Sequence, residues 1–119
     1  MYHISTKKIY FDAVIVTKFG DKKYYTNINI SGYPVKIDGF PNIKFVVHNT
    51  VDELSLSRTL RGLWDLSELT TGAGFFVKET MTRSKIETIE AVLAIFKEKN
   101  ITEKQILKAI EKAKKEINA

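Results

Sequence analysis

The sequence contains no cysteine, which excludes disulfide bridges, thiolate metal sites and a cysteine nucleophile. Only two histidines are present, His3 and His48, and neither is spaced from another ligand as a metal site requires. No apolar run approaches the roughly 18 residues of a membrane helix, and residues 1–8 lack the apolar stretch of a secretory signal. We therefore expect a cytoplasmic protein with no membrane contact, no metal and no cofactor.

The residues that are present suit one globular domain. Hydrophobic residues make up 44% of the chain and charged residues 28%, a balance that indicates neither disorder nor a membrane protein. A length of 119 residues leaves room for one core. We predict one domain over 1–119, with a sheet in 1–79 and helices in 80–119. The net charge of +5 comes from two basic ends around a more acidic centre, which suggests a polar electrostatic field.

The clearest strand pattern lies near the N-terminus. Apolar and polar residues alternate over 8–18, Gly20 and Asp21 supply a two-residue turn, and 22–30 returns as the partner strand. This turn sets the register. The core face is predicted to carry the pairs Phe11 with Ile30, Ala13 with Ile28, Ile15 with Thr26, and Thr17 with Tyr24. The open face is predicted to carry Asp12 with Asn29, Val14 with Asn27, Val16 with Tyr25, and Lys18 with Lys23.

Three more strands are predicted. One spans 43–48, and a second hairpin has arms at 63–69 and 73–78, a turn at 70–72, and Trp64 as the centre of the core. The first arm also fits a helix, because its three leucines recur at helical spacing. Glycines and prolines in 31–42 predict a loop with a short extended piece at 35–37, and a capping-box pattern at 50–53 opens a short helical turn.

Helical spacing begins after residue 80. The first helix is predicted over 84–99, with Ser84 and Thr82 as alternative N-caps and Asn100 closing it in the left-handed region. Thr102 and Gln105 form a capping box that opens a second helix. The apolar stripes are Ile86, Ile89, Val92, Leu93 and Phe96 in the first helix, and Ile106, Ile110, Ala113 and Ile117 in the second. The second stripe also favours a homodimer.

These elements predict an α+β fold, an antiparallel sheet of about five strands (two hairpins and a middle strand) followed by two C-terminal helices. Catalytic chemistry has few candidates in it. Asp65 and Glu68 are an acid pair, but a cross-strand charge pair between Asp65 and Lys78 is the better explanation. His48 fits an ordinary strand end, and the glycines match no nucleotide-binding motif. We expect no enzyme and assign no catalytic residue.

Binding carries more weight than catalysis. The open face of the first hairpin combines lysines, which attract phosphates, with tyrosines, which stack on bases. Exposed aromatic residues are also common anchors of protein interfaces. In the 31–42 loop, two aromatic residues either serve this purpose or fold back over the sheet edge. The predicted binding residues are Lys18, Lys23, Tyr10, Tyr25, Asn27, Tyr33 and Phe40.

The segment from Trp64 to Gly72, WDLSELTTG, is followed by an apolar strand and an amphipathic helix. In this it resembles small proteins encoded by phages and mobile elements, over about residues 61–99. The resemblance implies an accessory factor, and anti-CRISPR inhibitors are among such proteins. We therefore predict a non-catalytic binding module that docks on a host protein or nucleoprotein. The alternative is a nucleic-acid-binding protein that uses the face of the first hairpin.

Overall fold

The computed structural model describes residues 1–49, 62–72 and 80–117. Within them the chain forms five strands and then two helices, and every strand pair is antiparallel, which confirms the predicted α+β fold. The elements are β1 (Tyr2–Ile4), β2 (Ile9–Phe19), β3 (Lys22–Ile37), β4 (Phe45–Asn49), β5 (Trp64–Glu68), α1 (Lys85–Glu98) and α2 (Glu103–Ile117). The helical turn predicted at 50–60 and the hairpin arm predicted at 73–78 lie outside the described residues.

The β2–β3 hairpin has the predicted register. Phe11 pairs with Ile30, Asp12 with Asn29, and the ladder closes at Phe19 and Lys22. Gly20 adopts φ +62° at the turn, a conformation that glycine tolerates best. The faces follow this register, but the burial expected of two side chains was wrong. Val14, predicted on the open face, is buried, and Tyr24, predicted on the core face, is 51% exposed.

β3 continues through the segment that was predicted to be a loop. Its last residues pair with β4 on one edge and with β1 on the other, and β1 itself was not predicted. Pro34 is tolerated here for a geometric reason. Its carbonyl accepts a hydrogen bond from Ser5 N–H at 2.8 Å, so its nitrogen faces the same edge, where the ladder is interrupted between β1 and β2 and no N–H is required.

The sheet curls until its two ends meet. β2 lies on one side of β3, and β4 and then β5 lie on the other. The chain that follows β5 returns to β2, where the N–H of Val14 donates to the carbonyl of Gly72 at 2.9 Å. A small apolar cluster fills the curl, formed by Phe11, Ala13 and Val46 with Ile30 and Leu69 packed against it.

The main core lies between the sheet and the helices. Phe45, Leu66 and Ile89 are fully buried there, whereas Trp64, the predicted centre, is only half-buried at the margin. α1 begins at Ser84, whose Oγ accepts from Glu87 N–H at 3.3 Å. The predicted contribution of Ile86 to the stripe was wrong, because this side chain is 53% exposed.

Asn100 ends α1 with φ 52°, as predicted, and Ile101 N–H donates to Phe96 O at 2.8 Å. The capping box of α2 is confirmed in both directions. Gln105 N–H donates to Thr102 Oγ1 at 3.3 Å, and Thr102 N–H donates to Gln105 Oε1 at 2.9 Å. Ile106 and Ile110, two residues of the apolar stripe that favoured a homodimer, are buried against the chain's own core. At these two positions the stripe is not free to contact a second copy.

Because this cap is local, its removal should be a clean stability test. Thr102→Ala is expected to lower the free energy of unfolding by about 1 kcal/mol, since the first turn of α2 loses a hydrogen-bond acceptor. Chemical denaturation monitored by circular dichroism measures the change. Thr102→Ser retains the hydroxyl and serves as the control, and a loss as large in Thr102→Ser would contradict the assignment of the cap.

Candidate functional site

The hairpin carries most of the residues that were predicted to bind. Tyr10 is 74% exposed, and Asn27 is exposed on the same face. Next to them Asn29 Nδ2 donates to Asp12 Oδ1 at 3.0 Å, a cross-strand contact that the register anticipates. The backbone ladder pairs Lys18 with Lys23 and Val16 with Tyr25. The side chains of these four residues lie outside the described part of the structure.

Tyr24 was not predicted to bind, yet it is exposed. It shares a hairpin face with Phe11 and Ala13, which are buried. Among the described side chains of that face, the buried ones lie at the base of the hairpin, and Tyr24 near the turn is exposed. Strand alternation assigns a residue to a face but does not show where along the strand the core ends.

Phe40 and Tyr33 pack against the body of the protein, which is the second of the two alternatives left open for them. The ring of Phe40 lies 6.0 Å from that of Phe45 and 5.4 Å from that of Phe96, measured between centroids. Tyr33 is partly covered by Lys85, whose Nζ is 4.1 Å from the centre of its ring. Neither aromatic ring projects from the surface as Tyr10 does.

A tight turn after β5 holds the hairpin in place. Glu68 is buried, and its carboxylate accepts from Thr70 N–H at 2.9 Å, from Thr71 N–H at 2.5 Å and from the Thr71 hydroxyl. These bonds fold 69–72 so that Gly72, at φ +73°, lies against the backbone of Asp12 and bonds to Val14. The turn predicted at 70–72 thus also fastens β2 to the end of the sheet.

A polar cluster is buried under the base of the hairpin. His48 on β4 pairs with Asp65 on β5, and Ser67 follows on the same face. His48 Nδ1 is 2.7 Å from the carbonyl oxygen of Asn49, which can only accept, so Nδ1 carries the proton of the neutral ring. Nε2 then accepts from Ser67 Oγ–H at 2.6 Å. The Phe11 ring packs against the imidazole in a T-shaped arrangement, with 5.3 Å between centroids.

His48 lies next to the last residue of β4, as predicted, but its side chain is buried and hydrogen-bonded inside the sheet. Burial lowers the pKa of His48 below 6.5, against the backbone bond to Asn49 and the charge of Asp65, which act to raise it. Burial likewise raises the pKa of Asp65 above 3.8, opposed by His48 and by the N–H of Leu66, which donates to Asp65 Oδ1 at 2.8 Å. Both groups favour their neutral forms in the folded protein.

The two shifts act on stability in opposite directions. As the pH falls below 6.5, the unfolded chain gains a proton on His48 that the folded chain does not, and stability is lost. Folded Asp65 binds its proton at higher pH than the unfolded chain, which offsets part of that loss. We expect Asp65→Asn to steepen the loss as the pH falls from 6.5 towards 3.8, by at most about 1.4 kcal/mol per pH unit for one proton.

Urea denaturation at each pH measures this effect. His48→Gln is the matched variant, because it removes the group that gains a proton in the unfolded chain before it does in the folded one. It should therefore flatten the dependence of stability on pH relative to the wild type. Parallel pH profiles for the wild type, Asp65→Asn and His48→Gln would contradict the assignment of the acid response to this pair.

The cluster contains the residue types of an acyl-transfer triad without the geometry. His48 Nδ1 is bonded to a backbone carbonyl, whereas a triad requires a carboxylate at that nitrogen. Ser67 is 2% exposed and bonds to His48, whose ring lies against Phe11 of β2, so its hydroxyl is closed to a substrate in this structure. The geometry favours a structural role for these three residues, as polar groups whose hydrogen-bonding needs are met inside the curled sheet.

A small cavity of about 320 Å³ opens on the outer face of the hairpin beside Asn27. Its polar lining comes from Asp12, Thr70, Thr71 and Lys114. Lys114 also pairs with Glu111 one helical turn earlier, at 3.5 Å. Within the described ranges no group of histidine and acidic side chains is arranged to hold a metal ion.

Neither described helix has the length and apolar character needed to cross a membrane. Comparison of the chain with protein-family models, with curated proteins and with solved structures finds no match.

Proposed function

We propose that the chain is a non-catalytic binding module, an anti-CRISPR-like inhibitor or accessory protein of a phage or mobile element, that docks in the cytoplasm on a host protein or nucleoprotein. The β2–β3 hairpin is the docking element. The resemblance of the segment around 61–99 to small phage proteins supplies the biological setting.

The observation that carries the proposal is the exposure of tyrosines on both faces of one ribbon. Tyr10 is 74% exposed on one face, and Tyr24 is 51% exposed on the other. Tyrosine brings a large apolar ring and a hydroxyl at small entropic cost, and it is enriched among the residues that dominate interface energies. A ribbon whose two faces both present tyrosine suits insertion into a cleft of a larger partner.

The burial of Ser67 and His48 supports a module that binds without catalysing a reaction. Ser67 and His48 are buried under the same hairpin that presents the tyrosines. Any motion that opened this cluster to a substrate would also dislodge the docking element from Val46 and Leu69. Binding by the hairpin and catalysis by the cluster would therefore compete.

Affinity capture with matched variants tests the proposal. The tagged wild type is used as bait in a cytoplasmic extract of the host, and the partner is identified by mass spectrometry. Tyr10→Ala and Tyr24→Ala should each weaken binding of the purified partner at least about tenfold. Ile86→Ala, at an exposed apolar residue on α1, is the control and should retain binding. Equal affinity of all three variants would refute the hairpin as the docking element.

The alternative, direct binding of nucleic acid, is favoured by the pairing of Lys18 with Lys23 near the hairpin turn. Two lysines at opposite ladder positions suit a phosphate backbone. Binding to single- and double-stranded oligonucleotides across a salt series separates the two functions. Salt-sensitive binding that Lys18→Glu with Lys23→Glu abolishes would establish the alternative, and its absence would leave the protein partner.

A further inference from the structure

Two lysines and a histidine form a row across the sheet at the end remote from the hairpin turn. His3 on β1 is the direct partner of Lys36 on β3. On the other edge of β3, Val35 pairs with Phe45, so the next position places Lys36 opposite Lys44. The row then reaches Leu69, whose N–H donates to the carbonyl of Lys44 at 2.8 Å. Both lysines and His3 are exposed.

Like charges at directly opposed positions destabilise a sheet. Within the described ranges neither Lys36 nor Lys44 forms an ion pair. The nearest acidic side chain in sequence, Asp38, lies 3.8 Å from the N-terminal amine of Met1. Lys36 lies on β3 and Lys44 directly precedes β4, and two unmatched lysines at neighbouring positions are an arrangement that an external anion would stabilise.

An apolar groove lies alongside this pair. Its volume is about 850 Å³, within the range of small-molecule sites, and its lining comes from the β3–β4 hairpin and Leu69. Pro34, Pro41 and Leu69 supply apolar surface, and Lys36 and Lys44 line the same groove. Asp38 lines it too, with its carboxylate 3.8 Å from the amine of Met1. The aliphatic stems of lysine pack well against an apolar ligand while the ammonium groups remain in water.

We propose that this groove binds a free medium-chain aliphatic carboxylate, with its hydrocarbon chain along Pro34 and Leu69 and its carboxylate between Lys36 and Lys44. The apolar lining disfavours a bare phosphate or a nucleic-acid backbone, which would gain nothing from it. The unmatched charge disfavours a neutral hydrocarbon. Only a ligand with an apolar chain and an anionic group uses both the groove and the two lysines. This ligand site is separate from the docking hairpin.

Calorimetric titration with sodium decanoate, below its micelle concentration, tests the proposal on the full chain. The wild type should bind decanoate with saturable 1:1 stoichiometry, and Lys44→Glu should weaken binding at least about tenfold. Lys108→Glu, an exposed lysine of α2, makes the same change of charge outside the groove and should bind as the wild type does. Acetate and decanol, which each lack one part of the ligand, should bind much more weakly than decanoate.

The thermal midpoint of each variant without ligand distinguishes lost binding from misfolding. In the absence of ligand, Lys44→Glu places a carboxylate opposite Lys36, so its thermal midpoint should rise above that of the wild type while decanoate binding falls. Equal decanoate affinity of Lys44→Glu and Lys108→Glu would overturn the proposal. So would binding of a dodecyl phospholipid vesicle or an oligonucleotide to this face without any binding of free decanoate.

Discussion

Replacing Gly72 by alanine is expected to cost about 3–5 kcal/mol of the free energy of unfolding, the largest loss of any single change proposed for this protein. Gly72 has φ +73°, which a side chain disfavours. A Cβ built there would also lie 2.0 Å from the carbonyl oxygen of Asp12, which is backbone and has no rotamer to adopt. Either the turn or β2 must move, and the bond between Val14 and Gly72 is lost with it.

Gly20 provides a matched control for this prediction. It has nearly the same backbone angle, φ +62°, but nothing lies within 4 Å of a Cβ built on it. Gly20→Ala should therefore cost only about 1–2 kcal/mol for the left-handed conformation. Urea denaturation of both variants gives the difference directly. Equal losses would show that the approach of Gly72 to Asp12 contributes nothing to stability.

Glu68→Ala is expected to lower the free energy of unfolding by about 3 kcal/mol. The buried carboxylate accepts bonds from both backbone N–H groups of the turn and from one hydroxyl. Removing it takes this acceptor from two N–H groups and a hydroxyl that are partly buried, and the turn loses the bonds that fold it. Glu98, exposed on α1, is the control, and its replacement by alanine should change stability by less than about 0.5 kcal/mol.

Hydrogen exchange shows whether Glu68 acts through the hairpin. The N–H of Val14 donates to Gly72, at the point where the turn meets β2. In Glu68→Ala this amide should exchange faster relative to the amides of α1 than it does in the wild type, because the turn loses its fold before the helix does. A uniform increase across the chain would mean that Glu68 contributes only to global stability.

Features that depend on neighbouring residues could be predicted from the sequence. The two-residue turn at Gly20 determined the whole ladder from Phe11 to Ile30, because the side-chain period of a strand leaves no freedom once the turn is placed. The caps at Asn100 and Thr102 followed equally directly, since each is satisfied within four residues, and Ser84 was one of the two predicted N-caps of α1.

Features that depend on distant contacts could not be predicted. Gly32 and Pro34 looked like strand breakers, yet a Cβ on Gly32 would lie 2.6 Å from the Val46 side chain, so this glycine allows β3 to pack closely there. Val14 is buried because β2 meets Gly72. Ile86 is exposed because Thr88 faces the sheet and its hydroxyl bonds to the carbonyl of Trp64 at 3.2 Å.

The same distinction between local and distant contacts decides which parts of the candidate sites could be predicted. Exposure of Tyr10 and Asn27 followed from strand alternation. The meeting of His48 with Asp65, and the row through Lys36 and Lys44, required the pairing of strands that are far apart in sequence or joined by an irregular loop. Only the register of β4 could have revealed either one.

Site-specific photocrosslinking in host cells tests the docking hairpin most directly. A benzophenone amino acid is introduced at Tyr10, at Tyr24 or at the exposed control position Ile86. Irradiation should join the first two variants, and not the third, to one and the same host protein or nucleoprotein. Crosslinking from position 86 alone, or equally from all three positions, would contradict a docking surface on the hairpin.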